Sequence, residues 1–343
     1  MKIIQTLATD TWVNLSERNI TNRLLWHFIS ATTIRKTYGI DQEMILISDT
    51  KGKQIIEELG CFPYDTITND LDNFPYTRPH IPVGYKLYCF ELYPNDDVVH
   101  IDNDVLIKNQ LPSFTDTIVQ SNDGDWIMYD IDEDWFFGNL DLWTFPPSIV
   151  SDGRVNLTNS YNPGVLGFKS NSTIKEQYVS DYYEYLQINT NMLNQLKIDD
   201  LETYNTISDK HKQGVNTILE EGYLYHLCET NGVNVVEVLD SNIVPSVPQF
   251  LPNGNAELER KKIHQRYFNH YVELGYIHFS MASKGNKSWL YDTIGNLDTD
   301  SNTTFIPYIS DEIKQFLNTR VGLPKNPINQ FVNILIKDII EKY

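Results

Sequence analysis

Cysteine is scarce: the 343 residues hold three, Cys61, Cys89 and Cys228, far apart and without CxxC or Cys/His zinc spacing. That excludes a disulfide framework and a cysteine-built zinc site, and fits reduced thiols. Basic residues are outnumbered, 27 Lys and Arg against 46 Asp and Glu, and the net charge of −19 disfavours broad adhesion to nucleic acid or to an anionic membrane. No signal-peptide pattern opens the chain, and no apolar run reaches the ~20 residues of a bilayer span. The expectation is a cytoplasmic protein without a transmembrane segment. Glycine is missing from the stretch LATDTWVN that follows the first expected strand.

What is present is a core. Hydrophobic residues make up 41% of the chain, with 21 Tyr and 6 Trp among them, enough apolar surface to offset chain entropy. Lys2 to Leu7 reads as an opening strand, and Arg23 to Lys36 carries Leu24, Leu25, Phe28, Ile29 and Thr32 at helical spacing. MILISD (Met44 to Asp49) is a second strand, and Ile55, Ile56 and Leu59 mark a second helix over Lys51 to Leu59. This β-α-β-α order predicts an α/β fold, a parallel sheet with helices on its faces, which places ligands beyond the carboxyl ends of its strands.

VGYKLYCFEL (Val83 to Leu92) reads as a helix stopped by Pro94-Asn95-Asp96. WIMYDI (Trp126 to Ile131) and YNPGVLGF (Tyr161 to Phe168) read as strands, the second broken by its Pro-Gly pair, and residues 172 to 231 read mostly as helices. A basic helix is expected over Ala256 to Tyr271. Another, at the C-terminus, carries Ile328, Phe331, Val332, Leu335, Ile336, Ile339 and Ile340, an apolar stripe suited to core docking or a homodimer contact.

The most informative segment is Asp97 to Ile107. Val98, Val99 and Ile101 make a buried strand, and the polar island Asp102-Asn103-Asp104 interrupts it before Val105 resumes. Asp123/Asp125, Asp130/Asp132 and Asp132/Asp134 have the same spacing, but a solvated turn explains each of them. Carboxylates with apolar flanks on both sides are costly to bury without a cation or a partner. Two of them at a strand end can share Mg²⁺ or Mn²⁺, whose other positions accept diphosphate oxygens.

KLYCFELYPNDDVVHIDNDVLI resembles the helix, Pro turn, strand and DXD segment of GT-A glycosyltransferases, particularly the family 8-like branch. Three later segments agree in order. Asn162-Pro163-Gly164-Val165 is similar to the strand under the transferred sugar, Glu220-Glu221-Gly222 resembles the acidic helix start near the acceptor, and His278-Phe279 with Lys284 resembles the His-Phe…Lys element. Met281 stands where that group usually has Gly, and Gly285-Asn286 where it has Pro-Trp, so Lys287 is an alternative to Lys284.

The resemblance implies a GT-A catalytic domain over 1–290, with a nucleotide-sugar half at about 1–110 and an acceptor half at about 111–290, then a helical extension over 291–343. It implies a mixed sheet flanked by helices. Asp102, Asp104 and His278 would hold Mn²⁺ or Mg²⁺. Lys284 would meet the departing diphosphate, with Lys287 beside it, and Lys86 would reach the donor. Thr6, Thr9 and Trp12 after the first strand, and Asp49 after the second, would meet base and ribose, with Asn103 and Gly164 also at the nucleotide sugar. Asn162 and Glu221 would serve the sugar or the acceptor.

Each residue has a structural rival: core packing for His278 and Trp12, an exposed helix position for Lys86, a bend for Asn162 and a helix cap for Glu221. The expected reaction is transfer from a nucleoside diphosphate sugar, UDP-linked by the family pattern, to a glycan, a lipid-linked glycan or another hydroxyl. Its rivals are transfer to a modified nucleobase in DNA, nucleotidyl transfer, which typically needs the glycines that LATDTWVN lacks, and a non-enzymatic cation-binding role.

Overall fold

The computed structural model describes residues 1–12, 17–60, 62–76, 83–124, 142–151, 154–155, 157, 159–207, 209–239 and 275–278. In chain order its main elements are β1 (Lys2–Leu7), α1 (Glu17–Tyr38), β2 (Met44–Ser48), α2 (Thr50–Leu59), β3 (Thr66–Thr68), α3 (Val83–Leu92), β4 (Val98–Ile101), β5 (Val105–Ile107) and β6 (Thr117–Gly124). There follow β7 (Val150–Ser151), β8 (Arg154–Val155), β9 (Ser160–Phe168), α4 (Lys175–Asp199), α5 (Leu201–Thr206), α6 (Asp209–Thr217), a π-helical turn at Ile218–Gly222, α7 (Tyr223–Thr230), β10 (Val235–Glu237) and β11 (Tyr276–His278). The strand expected at Trp126 to Ile131, the basic helix and the C-terminal helix lie outside the described residues.

The architecture is mixed α/β, as expected, and the described residues divide into two compact units. The first gathers Met1–Thr11, Asp70–Ile101 and the described part of Pro112–Ser246. The second gathers Trp12–Asn69, Asp102–Leu111 and, from the later chain, Gly275–His278.

In the first unit the strands run in the order β10-β6-β9-β4-β1. β1 pairs parallel with β4, Ile4 opposite His100, and β10 pairs parallel with β6, while β9 is antiparallel to both its neighbours. β4 is buried at all four positions, as a strand covered on both faces must be. The Pro-Gly pair does not break β9. Proline has no N–H to give a ladder, and the β6–β9 register slips between Val119–Leu166 and Ser121–Asn162, so Pro163 sits in the irregularity.

Part of the tyrosine content packs the helical side of this unit. Tyr178, Tyr182 and Tyr183 of α4 are fully buried, and their hydroxyls reach the Glu220 carbonyl at 2.8 Å, Asn216 Oδ1 at 3.4 Å and the Gly84 carbonyl at 2.6 Å. Each ring fills volume while its polar tip is satisfied.

In the second unit β2 and β3 pair parallel, and β5 pairs antiparallel with β11. α2 begins where the Asp49 carboxylate accepts the Gly52 N–H at 2.7 Å, and ends at Gly60, whose φ of 61° needs the left-handed region open to glycine. α1 is longer than its apolar spacing predicted, starting at Glu17 instead of Arg23. Its residues Ser30, Thr33 and Thr37 form a hydroxyl stripe at helical spacing, directed at the turn before β5 and at β5 itself. Among the described residues no helix is long and apolar enough to cross a membrane.

Candidate cation site

The strand-end island is a tight turn. β4 stops at Ile101, and the Val105 N–H closes a turn over Asp102 to Asp104 on the Asp102 carbonyl at 3.1 Å before β5 begins. Asp104 is 6% exposed, Asp102 and Asn103 are half-buried, and apolar β5 anchors the far side. β11 lies antiparallel to β5 with His278 opposite Val105, one residue beyond Asp104. The pairing of His278 with Val105, 173 residues earlier, thus brings the imidazole to the carboxylates.

Asp102, Asp104 and His278 place one ligand atom each within 4.8 Å of one another, and His278 Nε2 is 3.4 Å from Asp104 Oδ1. Around an octahedral Mg²⁺-sized ion neighbouring ligands stand about 3 Å apart and opposite ones about 4.2 Å, so a bound ion would draw the three side chains closer together. The donor set, two carboxylates and an imidazole, suits a divalent ion. On both observations the residues fit a cation.

Arg23, on α1, is exposed, yet the surrounding protein strips enough water from its guanidinium to draw its pKa down, while the Asp104 charge acts in the opposite sense. A fixed positive charge therefore stands in the field of the site. No sequence signal pointed to it.

In the first unit, Lys86 of α3 is buried. Its ammonium lies 2.5 Å from Glu220 Oε1 and 2.9 Å from the Pro163 carbonyl. This ties α3 to the π-helical turn and to the bend of β9. Such π-turns recur at functional sites. Asn162 Oδ1 accepts the Gly164 N–H at 3.0 Å, so this side chain shapes the bend that was its alternative reading. Glu221 is half-buried in the same π-turn as Glu220. Glu220, next to the expected Glu221, is the one that meets Lys86.

Thr6 Oγ1 lies 3.2 Å from His100 Nε2, linking the ends of β1 and β4, and Thr9 is buried in the 3₁₀ turn that follows β1. In that turn Asp10 accepts a hydrogen bond from the Tyr85 hydroxyl at 2.5 Å. Trp12 and Asp49 belong to the second unit, Trp12 buried and Asp49 capping α2. Lys284 and Lys287 lie outside the described residues.

No curated protein matches this sequence. Solved structures similar to it include the glycosyltransferase GlyE of Streptococcus pneumoniae TIGR4, at 10% identity over 99% of this chain and 63% of that one, with a TM-score of 0.38. An active-site mutant of LgtC is similar at 12% identity over 92% of this chain and 96% of that one, TM-score 0.38. Mouse xyloside xylosyltransferase 1 is similar at 9% identity over 82% and 99%, TM-score 0.41. The chain thus spans less than two thirds of the length of GlyE. Residues 1–305 match the profile of DUF6734, described as a family of unknown function, and the chain belongs to that family.

Proposed function

We propose that the chain is a divalent-cation-dependent glycosyltransferase of the GT-A type, taking its sugar from a nucleoside diphosphate sugar, UDP-linked by preference, and passing it to a hydroxyl of a glycan or lipid-linked glycan. The observation that carries the reading is the convergence of Asp102, Asp104 and His278 within 4.8 Å at a strand end. The order of sequence elements around them, from the DXD turn to His278-Phe279 and Lys284, supports it.

In the transfer, the bond from the anomeric carbon to the diphosphate oxygen breaks and one to the acceptor oxygen forms, while the acceptor hydroxyl's proton passes to solvent and the nucleoside diphosphate leaves with the bonding electron pair. Mn²⁺ or Mg²⁺, when bound, supplies positive charge against the departing diphosphate. Asp102, Asp104 and His278 hold it. Lys284, with Lys287 as its neighbour, adds charge at the leaving group. Thr6, Thr9, Trp12, Asp49 and Asn103 serve base, ribose and diphosphate. Asn162 and Gly164 line the sugar, and Glu221 orients the acceptor. Lys86, held by Glu220 and the Pro163 carbonyl, acts on the donor through the bend of β9.

A thermal-shift screen of nucleoside diphosphate sugars with Mn²⁺, followed by release of the nucleoside diphosphate, tests the reading. Stabilisation by one nucleotide sugar that needs Mn²⁺ and disappears in Asp102→Ala and Asp104→Ala is expected. Turnover that survives EDTA and both substitutions would overturn it.

A further inference from the structure

On the reading that Asp102, Asp104 and His278 hold a divalent cation, we propose that Ser30 is a positioning residue of that site. Serine in a helix interior is a weak helix former and commonly turns its hydroxyl back on its own helix. Here the Oγ reaches another element. It donates to the Val105 carbonyl at 2.6 Å and lies 3.3 Å from the Asp102 carbonyl. One hydroxyl has one proton, so the bond to Val105 is the principal one and Asp102 its second branch.

The Val105 N–H closes back on that same Asp102 carbonyl at 3.1 Å. Both ends of the turn that carries the two carboxylates are therefore gathered on one fully buried side chain. Val105 is also the residue opposite His278 in the β5–β11 pair. Ser30 thus fixes the one backbone position that is adjacent to Asp104 in the chain and to His278 in the sheet. The far end of β5 is held separately: the Ile107 N–H donates to Thr33 Oγ1 at 3.3 Å, and Thr37 Oγ1 donates to the Ile107 carbonyl at 3.1 Å.

Removing the Ser30 hydroxyl would leave the ligands in place but free the turn to drift, widening the 3.4 Å spacing of Asp104 and His278. Losing a group that orients metal ligands weakens metal binding by about 10- to 100-fold. Losing Thr37 loosens only the distal end of β5.

The test is Mn²⁺ affinity of the full chain, without nucleotide or acceptor, by electron paramagnetic resonance of free Mn²⁺ and by titration calorimetry. Wild type, Ser30→Ala, Ser30→Cys, Thr37→Ala and Asp104→Ala are compared, each with its melting temperature. Ser30→Ala is expected to bind Mn²⁺ at least about tenfold more weakly. Thr37→Ala should melt lower but keep wild-type affinity, and Ser30→Cys, which retains a weak donor at lower risk to folding, should fall between wild type and Ser30→Ala.

Wild-type Mn²⁺ affinity in folded Ser30→Ala, or in Ser30→Cys should the alanine variant not fold, would overturn the positioning role while leaving the cation site standing. Equal loss in Thr37→Ala would overturn it too, as a general effect of loosening β5. Mn²⁺ binding that is missing in wild type, or unaltered by Asp104→Ala, would overturn the cation reading and this inference with it.

Discussion

The Lys86 ammonium and the Glu220 carboxylate meet at 2.5 Å with both side chains 6% exposed, joining a helix to a π-turn 134 residues later. Removing one member of a buried ion pair leaves an uncompensated charge and costs roughly 3–5 kcal/mol, whereas replacing both by apolar groups of similar volume is far milder. Lys86→Met and Glu220→Met are each expected to lower the urea midpoint sharply. The double variant Lys86→Met with Glu220→Met should recover most of the loss, a coupling read directly from a double-mutant cycle.

Arg23 gives a prediction of opposite signs for two ligands. Its positive charge stands in the field of Asp104 and opposes a cation there, while a guanidinium suits phosphate oxygens. Arg23→Gln should strengthen binding of Mn²⁺ alone by about threefold, a modest factor because the residue is solvent-screened. The same substitution should weaken UDP binding in saturating Mn²⁺. Titration calorimetry with each ligand separates the two effects.

Much of the fold was legible because it is written in local pattern. The apolar runs at Lys2–Leu7 and Met44–Ser48, and the apolar flanks of Asp102 and Asp104, need no partner to be recognised. Lys86 shows the limit. A lysine in a helix reads the same whether it faces water or Glu220, because its partner is far away in sequence. Ser30 was illegible for the same reason, its acceptors lying 72 and 75 residues on. Pro163 reads as a break in the sequence because period alone does not show that a register slip can absorb a missing N–H.

Gly167 tests the packing between the central strands of the first unit. A methyl added there would lie 2.7 Å from Val99 Cγ2, 2.8 Å from Ile118 Cγ2 and 3.0 Å from the Val98 carbonyl. β9 is flanked by β4 and β6, so neither neighbour can retreat without shifting a central strand. Gly167→Ala should cost about 1–3 kcal/mol, seen as a fall in melting temperature. Adding Val99→Ala, which removes the nearest methyl, should restore part of it.

His27 sets a stability limit on the acid side. It is fully buried on α1, edge-on to Phe62 and Tyr64, with Nε2 against the Tyr64 hydroxyl, and burial pushes its pKa down to about 3. The folded protein therefore keeps the imidazole neutral, while the unfolded chain takes up a proton near pH 6.5. The unfolded state binds more protons between those values, so stability falls as pH drops from 6.5 towards 3 and is unaffected by this group above about 7. Between pH 7 and pH 5 the loss is about 2 kcal/mol. Urea unfolding at the two pH values should show it, and His27→Gln, which does not titrate, should lower stability at pH 7 yet reduce the difference between them by about that amount. An undiminished difference in the variant would assign the acid sensitivity to other groups.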